Sequence, residues 1–205
     1  MLFSSEQVSN GHPDKICDQI SDAIVTDILA HDKKPRIAAE VCIKDYDIII
    51  LGEITSTYIP DYQSLVMGVL RNIGLEDLDK YKVQELISAQ SPDIAMGVDN
   101  DGAGDQGMMF GYASDETPDF MPAPIWLAHK LAERLAAIRH QGLAHGLRPD
   151  GKTQVTLAYD EQGIPREIDT LVISTQHDPE LGMSELEEQL RELVVSPVLE
   201  ETGLG

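Results

Sequence analysis

Residues 36–44, Arg-Ile-Ala-Ala-Glu-Val-Cys-Ile-Lys, decide the class of this chain. Ile37, Ala39, Val41 and Ile43 fall on one side of an extended backbone, and Ala38, Glu40 and Cys42 on the other. That two-residue period is the mark of a half-buried strand. Asp45-Tyr46-Asp47 makes a tight connection. Ile48-Ile49-Ile50-Leu51 then returns as a buried strand, followed by Gly52-Glu53-Ile54-Thr55, so the two runs read as a hairpin. Upstream the period changes. From Pro13 to Ala30 the residues Ile16, Ile20, Ala23, Ile24 and Ile28 recur at helical spacing, with Asp14, Asp18 and Asp22 in a second row. Lys33-Lys34 and Pro35 stop that helix, and Met1 to Ser4 form a short strand before it. Downstream, Pro60 to Asn72 reads as a helix with Leu65, Val69 and Ile73 at four-residue steps. Tyr81 to Ser88 fits a strand or a short helix.

The second half repeats this outline. Gly107 to Ala113 reads as an apolar strand, and Ser114-Asp115-Glu116-Thr117 caps the next segment. Pro122 to Gln141 is a helix with Ile125, Ala128, Leu131, Leu135 and Ile138 inward. Thr153 to Tyr159 alternates like a half-buried strand, Glu161-Gln162-Gly163 turns the chain, and Arg166 to Thr175 returns. Met183 to Leu199 is an amphipathic helix carrying Leu186, Leu190, Leu193 and Val194. The sequence therefore predicts an α+β protein of tandem β-α-β-β-α units, each sheet carrying helices on one face. Gln90 to Gly107 breaks every period and collects glycines and aspartates, which predicts a mobile loop long enough to carry function.

The chain has 205 residues, enough for real cores in one large domain or two small ones. Its 36 acidic and 15 basic residues leave a net charge of −21, which points away from nucleic acid and from anionic membranes. Cys17 and Cys42 have no metal-type spacing and read as free thiols of a reducing compartment. No leader-like segment and no membrane-length apolar run is present, so the expected location is cytoplasmic.

Ser9-Asn10-Gly11-His12-Pro13-Asp14-Lys15 lies at the start of the first helix. Pro13 suits the first helical turn, which leaves His12 or Asn10 in the cap region. Free N–H groups and the positive dipole end favour a phosphate there, and Lys15 and His12 add to that. Asp14 repels a phosphate unless a divalent cation bridges the two. The same residues also fit a plain cap, with Asp14 complementing the dipole and His12 solvated. Glu40 and Glu53, on neighbouring strands of the hairpin, invite a cation or an amine, or are simply solvated carboxylates. Gly102-Ala-Gly-Asp-Gln-Gly107 lacks both nucleotide-loop spacings. Leu147-Arg148-Pro149-Asp150-Gly151-Lys152 reads locally as a turn. His31, His129, His140, His145 and His177 make no ligand pattern and read as surface or capping residues.

Taken in order, the motifs say more. Ser9-x-Gly-His-Pro-Asp-Lys15, Gly52-Glu-Ile-Thr55, Gln90-Ser-Pro-Asp-Ile94, Gly102-Ala-Gly-Asp-Gln-Gly-x-Met-Phe-Gly-Tyr112, Met121-Pro-Ala-Pro-Ile125, Leu147-Arg-Pro-Asp150 with Lys152, and Ile173-Ser-Thr-Gln-His177 together resemble S-adenosylmethionine synthetase (methionine adenosyltransferase) nearly end to end. The resemblance implies that methionine sulfur attacks C5′ of ATP and displaces the triphosphate, which is then hydrolysed to phosphate and pyrophosphate. It implies His12 and Lys152 as catalytic residues, and His12, Pro13, Asp150 and Lys152 as ATP contacts. Glu53, Gln90 and Asp105 would hold methionine, Asp14 would bind Mg²⁺, and Glu40 would bind K⁺. It implies a first repeat unit over 1–90, a mobile gating loop over 91–103 and a second unit over 104–205.

A third unit, which in the family carries further cations for the triphosphate, is missing from this span. Only Lys15, Arg148 and Lys152 in the motif regions face that charge. The expectation is one subunit of a split synthetase, with a second polypeptide supplying the C-terminal unit and a homodimeric contact within a larger hetero-oligomer. The alternative is a non-catalytic methionine- or ATP-binding paralogue, a regulatory subunit, or a fragment. The loop between Asp99 and Gly102 is shorter than in familiar members, and Gly142-Leu-Ala-His-Gly146 replaces a more hydrophobic run.

Overall fold

A computed structural model describes residues 1–98, 102–103 and 107–202. Two compact units form. One takes Met1–Lys15 and Tyr112–Gly205 from opposite ends of the sequence, and the other takes Ile16–Gly111. Each holds a three-stranded sheet with its own apolar core. The α+β class read from the sequence holds.

The contiguous unit contains most of α1 (Pro13–His31), then β2 (Arg36–Lys44), β3 (Asp47–Thr55), α2 (Tyr62–Ile73), β4 (Lys82–Ser88) and α3 (Pro92–Val98). The hairpin is antiparallel from Arg36↔Thr55 to Lys44↔Asp47, and β4 lies parallel on the other edge of β3. Tyr81 to Ser88 thus resolves as a strand. Ile16, Ile20, Ile24 and Ile28 of α1 repeat every four residues and are buried against Ile48 and Ile50 of β3 and Val66, Leu70 and Ile73 of α2. Each such side chain contributes about 1.5–3 kcal/mol by leaving water. Asp61 caps α2 by accepting from Ser64 N at 3.0 Å. Gly74, at φ 87°, ends the helix in the left-handed conformation that glycine tolerates. Ala38, Glu40 and Cys42 take the other face of the sheet and are exposed.

The second unit contains β1 (Leu2–Val8), α4 (Ala123–His140), β5 (Leu147–Tyr159), β6 (Pro165–His177), α5 (Met183–Leu190) and α6 (Ser196–Thr202). Its sheet order is β1-β5-β6, antiparallel throughout. Strand β1, first in the sequence, therefore belongs to the sheet of the last two strands. Leu127, Leu131, Leu135 and Ile138 of α4 pack on Val155 and Leu157 of β5, and Leu186, Val194 and Val198 close the core. Thr153 Oγ1, fully buried, donates to Ala128 O at 2.7 Å and pins α4 to the sheet.

Four local expectations are corrected. Within the loop expected over Gln90 to Gly107, Pro92–Val98 forms helix α3, which proline at its first position starts. Gly107 to Ala113 forms no strand, because no strand of either sheet pairs with it. Met108, Met109, Phe110 and Tyr112 are all more than three-quarters exposed. Leu147 to Lys152 is not a turn but the start of β5. Pro149 is accommodated where the β5–β6 register shifts between Leu147 and Gly151, so its missing N–H breaks no ladder bond. The helix expected over Met183 to Leu199 is interrupted by a π-helical segment, Arg191–Val195, where Arg134 Nε donates to Leu193 O at 2.8 Å.

The segment before α4 is capped as the sequence indicates. Glu116 accepts from Ala123 N at 3.0 Å, Ser114 Oγ at 2.7 Å and Tyr159 Oη at 2.6 Å. Burial alone would push its carboxyl up, but these bonds outweigh that and hold it below the ordinary glutamate range. Beyond α1, Asp32 gathers Thr57 N at 2.8 Å, Lys34 N at 3.0 Å, Ser56 Oγ at 3.0 Å and Thr57 Oγ1 at 3.1 Å. The Thr57 backbone bond leads in lowering its pKa to about 2. A depressed carboxylate contributes stability above its unfolded pKa and loses it as pH falls through the folded value. Asp32→Ala should therefore lower the melting temperature at neutral pH, and the gap to wild type should close between about pH 4 and pH 2. Thermal melts across that range check it.

Candidate functional site

The end of β1 meets the start of β5. The register brings Val8 opposite Lys152. Ser9 N donates to Gly151 O at 2.8 Å, and Ser9 Oγ donates to Pro149 O at 2.7 Å in a buried bond. His12 N donates to Ser9 O at 3.1 Å, which closes a turn just before α1. Pro13 is the first helical residue, as the sequence predicts, so His12 is the cap. Its Nδ1 accepts from Asp14 N at 3.2 Å. Asp14 Oδ2 lies 3.7 Å from the same nitrogen, but a protonated Nδ1 could not accept the backbone bond. The backbone bond is shorter, and the Asp14 side chain is 87% exposed, so the cap geometry takes precedence. With Nδ1 accepting, Nε2 is the ring nitrogen left to act as the donor.

The stretches around His12 and around Asp150, far apart in sequence, come together in one unit. Asp150 is half-buried on β5, and Lys152 is exposed. Lys152 follows the alternation opposite to Thr153, Val155 and Leu157, so it lies on the face of the sheet away from α4. Arg148 is not available as a bare cation: its Nε donates to Asp178 Oδ1 at 2.6 Å. Asn10 Oδ1 accepts from Arg139 Nη2 at 3.4 Å.

In the other unit, Glu40 pairs with Leu51 and Ala38 with Glu53. The two glutamates are therefore diagonal neighbours on one face of the hairpin, Glu40 exposed and Glu53 half-buried. Gln90 sits at the same end of this sheet. Its N donates to Thr55 Oγ1 at 3.1 Å, and its Oε1 accepts from Arg36 Nε at 2.7 Å. Asp105 and the loop positions 99–101 lie outside the described residues. Among the described residues no three His, Cys, Asp or Glu side chains gather into a metal cage, and no helix is long and apolar enough to cross a membrane. Cys17 and Cys42 are free thiols.

The bonds of Ser9 to Pro149 and of Arg36 to Gln90 were not read from the sequence. They span 140 and 54 residues, and neither carries a local signal.

Residues 1–92 match the family model for the N-terminal domain of S-adenosylmethionine synthetase, and residues 100–204 match the model for its central domain. The chain belongs to the S-adenosylmethionine synthetase family. The S-adenosylmethionine synthase of Bifidobacterium adolescentis is 47% identical over 223 residues, covering 98% of this chain and 55% of the relative. That of Corynebacterium kroppenstedtii is 46% identical, covering 99% and 56%, and that of Prochlorococcus marinus is 47% identical, covering 94% and 51%. The chain thus spans about half the length of the curated relatives it matches. The first match runs over 223 positions against 205 residues here, so that synthase has residues within the matched span that this chain lacks.

Gly52 is the backbone pivot beside Glu53. Its φ is 134°, and an added Cβ would lie 2.0 Å from Ala38 O. Gly52→Ala should destabilise the hairpin by about 3 kcal/mol or more. Denaturant unfolding measures this, and a shift under about 1 kcal/mol would count against the geometry.

Proposed function

We propose that this chain is one subunit of a split S-adenosylmethionine synthetase, which forms S-adenosylmethionine, phosphate and pyrophosphate from ATP, methionine and water in the cytoplasm. A second polypeptide supplies the C-terminal unit, with a homodimeric contact inside a larger hetero-oligomer. The observation that carries this reading is the meeting of two family motifs where Ser9 bonds to Pro149 and Gly151. That meeting puts the helix cap His12, Asp14, Asp150 and Lys152 in one unit.

The thioether of methionine is nucleophilic without a base, so the chemical demand falls on the leaving group. Displacement at C5′ leaves the electron pair on the triphosphate oxygen. His12, with its proton on Nε2, donates to that end of ATP. Lys152 offsets the triphosphate charge, and Pro13 and Asp150 contact ATP. Glu53, Gln90 and Asp105 hold methionine, the carboxylates against its ammonium group. Arg36 fixes the Gln90 amide by taking its oxygen as acceptor. Water then hydrolyses the triphosphate.

The donor set at Asp14 suits Mg²⁺, which is commonly held by one or two carboxylates together with phosphate and water oxygens. Bound there, it would neutralise part of the triphosphate charge. Glu40 would offer K⁺ one exposed carboxylate.

The purified chain, given ATP, methionine, Mg²⁺ and K⁺, should make no S-adenosylmethionine. Adding a chain that carries the C-terminal unit should produce it, as chromatography of the products would show. In that assembly Asp14→Asn and Lys152→Ala should each lower kcat by about 100- to 1,000-fold. Robust activity from the lone chain would sink the split-enzyme reading. Silence with every C-terminal partner, alongside retained methionine or ATP binding, would favour a non-catalytic subunit.

A further inference from the structure

The turn between β1 and α1 is fastened to β5 more tightly than chain continuity requires. Ser9 is 5% exposed and makes two bonds across to β5, one through its backbone N and one through its hydroxyl. Gly11 is buried, and a Cβ there would lie 2.3 Å from Pro149 Cβ, 2.4 Å from Pro149 C and 2.5 Å from Pro149 O. Two of those atoms are backbone, so no rotamer change relieves the clash. The β5 side is equally close: a Cβ on Gly151 would lie 3.0 Å from Leu135 Cδ2 and 3.1 Å from Ser174 O. Gly11 therefore seats directly on Pro149, at the point where the register shift frees that residue from the β6 ladder.

The fastening passes to the His12 ring in two steps. The Ser9 carbonyl takes the His12 N–H, and the Asp14 N–H takes Nδ1. We infer that Ser9 and Gly11 are positioning residues: seated on Pro149, they hold the His12 ring with Nε2–H as its donor in fixed register with Asp150 and Lys152. The catalytic consequence rests on the adenosyl-transfer reading above; the geometric one does not. A misplacement of about 1 Å at such a donor costs about 100-fold in rate. Polar deletion at a buried hydroxyl also leaves the Pro149 carbonyl without that partner.

The test separates the two. The full chain is labelled with ¹⁵N and its histidine ring nitrogens are read by long-range ¹⁵N–¹H correlation at about pH 8, where an ordinary imidazole is neutral. Wild type should show His12 as the Nε2–H form with Nδ1 as acceptor. Ser9→Ala and Gly11→Ala should collapse the separation between the two ring nitrogens towards that of a freely exchanging imidazole. Ser9→Thr, which keeps the hydroxyl, should retain the separation. Val194→Ala, a cavity in the apolar core of the same unit, should lower stability and leave the His12 signals in place. Where Gly11→Ala does not fold, Ser9→Ala decides alone.

Wild-type signals in a folded Ser9→Ala overturn the inference. In the assembled enzyme, Ser9→Ala should lower kcat about 10- to 100-fold with the methionine KM unchanged. A wild-type assembly without synthetase activity overturns the functional reading, and the His12 signals still decide the positioning.

Discussion

The antiparallel ladder between β1 and β5 is the constraint on which the rest depends. Seven consecutive residues, Leu2 to Val8, pair with Ala158 to Lys152. The ladder supplies the third strand of one sheet, and its last pair delivers the chain to the Ser9–Lys15 turn. Without it α1 could still form from its own periodic isoleucines, because their core lies in the contiguous unit. The cap residues would then have no fixed neighbour on β5. Secondary structure is thus local here, while the meeting of the two motif stretches depends on one pairing across some 150 residues.

Electrostatics set a second constraint. A chain of net charge −21 is a poor host for a triphosphate unless positive charge is concentrated at the site. Of the three cations the motifs offer, Arg148 is engaged by Asp178, and Lys152 is exposed on an open sheet face. On the proposed reaction, what this unit contributes is geometry and hydrogen bonding: a helix N-terminus, the His12 ring and the Asp14 carboxylate. Bulk positive charge is what the chain lacks, with 36 acidic residues against 15 basic ones.

Much of the fold was legible because it rests on short periods. The alternation of Arg36 to Lys44 and the four-residue step of α1 each reflect burial on one face, and both elements appear where those periods place them. What could not be read depends on partners far away in sequence. Pro149 and Gly151 signal a turn locally, yet the β1 and β6 neighbours make that stretch a strand with a register shift. Gly107 to Ala113 has the composition of a strand, but a strand needs an edge to pair with, and composition cannot supply one. The π segment after α5 answers to Arg134, on a different helix. For the site, the residue types were recognisable from the order of the motifs. The bonds of Ser9 to Pro149 and of Arg36 to Gln90, which join stretches remote in sequence, were not.

The β1-β5-β6 order also bears on how the chain is made. Residues 16–111 are a continuous stretch with their own core, so that unit can close as soon as it is synthesised. Strand β1 leaves the ribosome before β5 and must wait, unpaired, for β5 to be translated. Its edge stays open until β5 is made, with Leu2 and Phe3 on a strand that has no partner yet. Closing so long a loop is a slow, high-contact-order step. The turn that carries His12 would then be among the last parts of the molecule to take its final form.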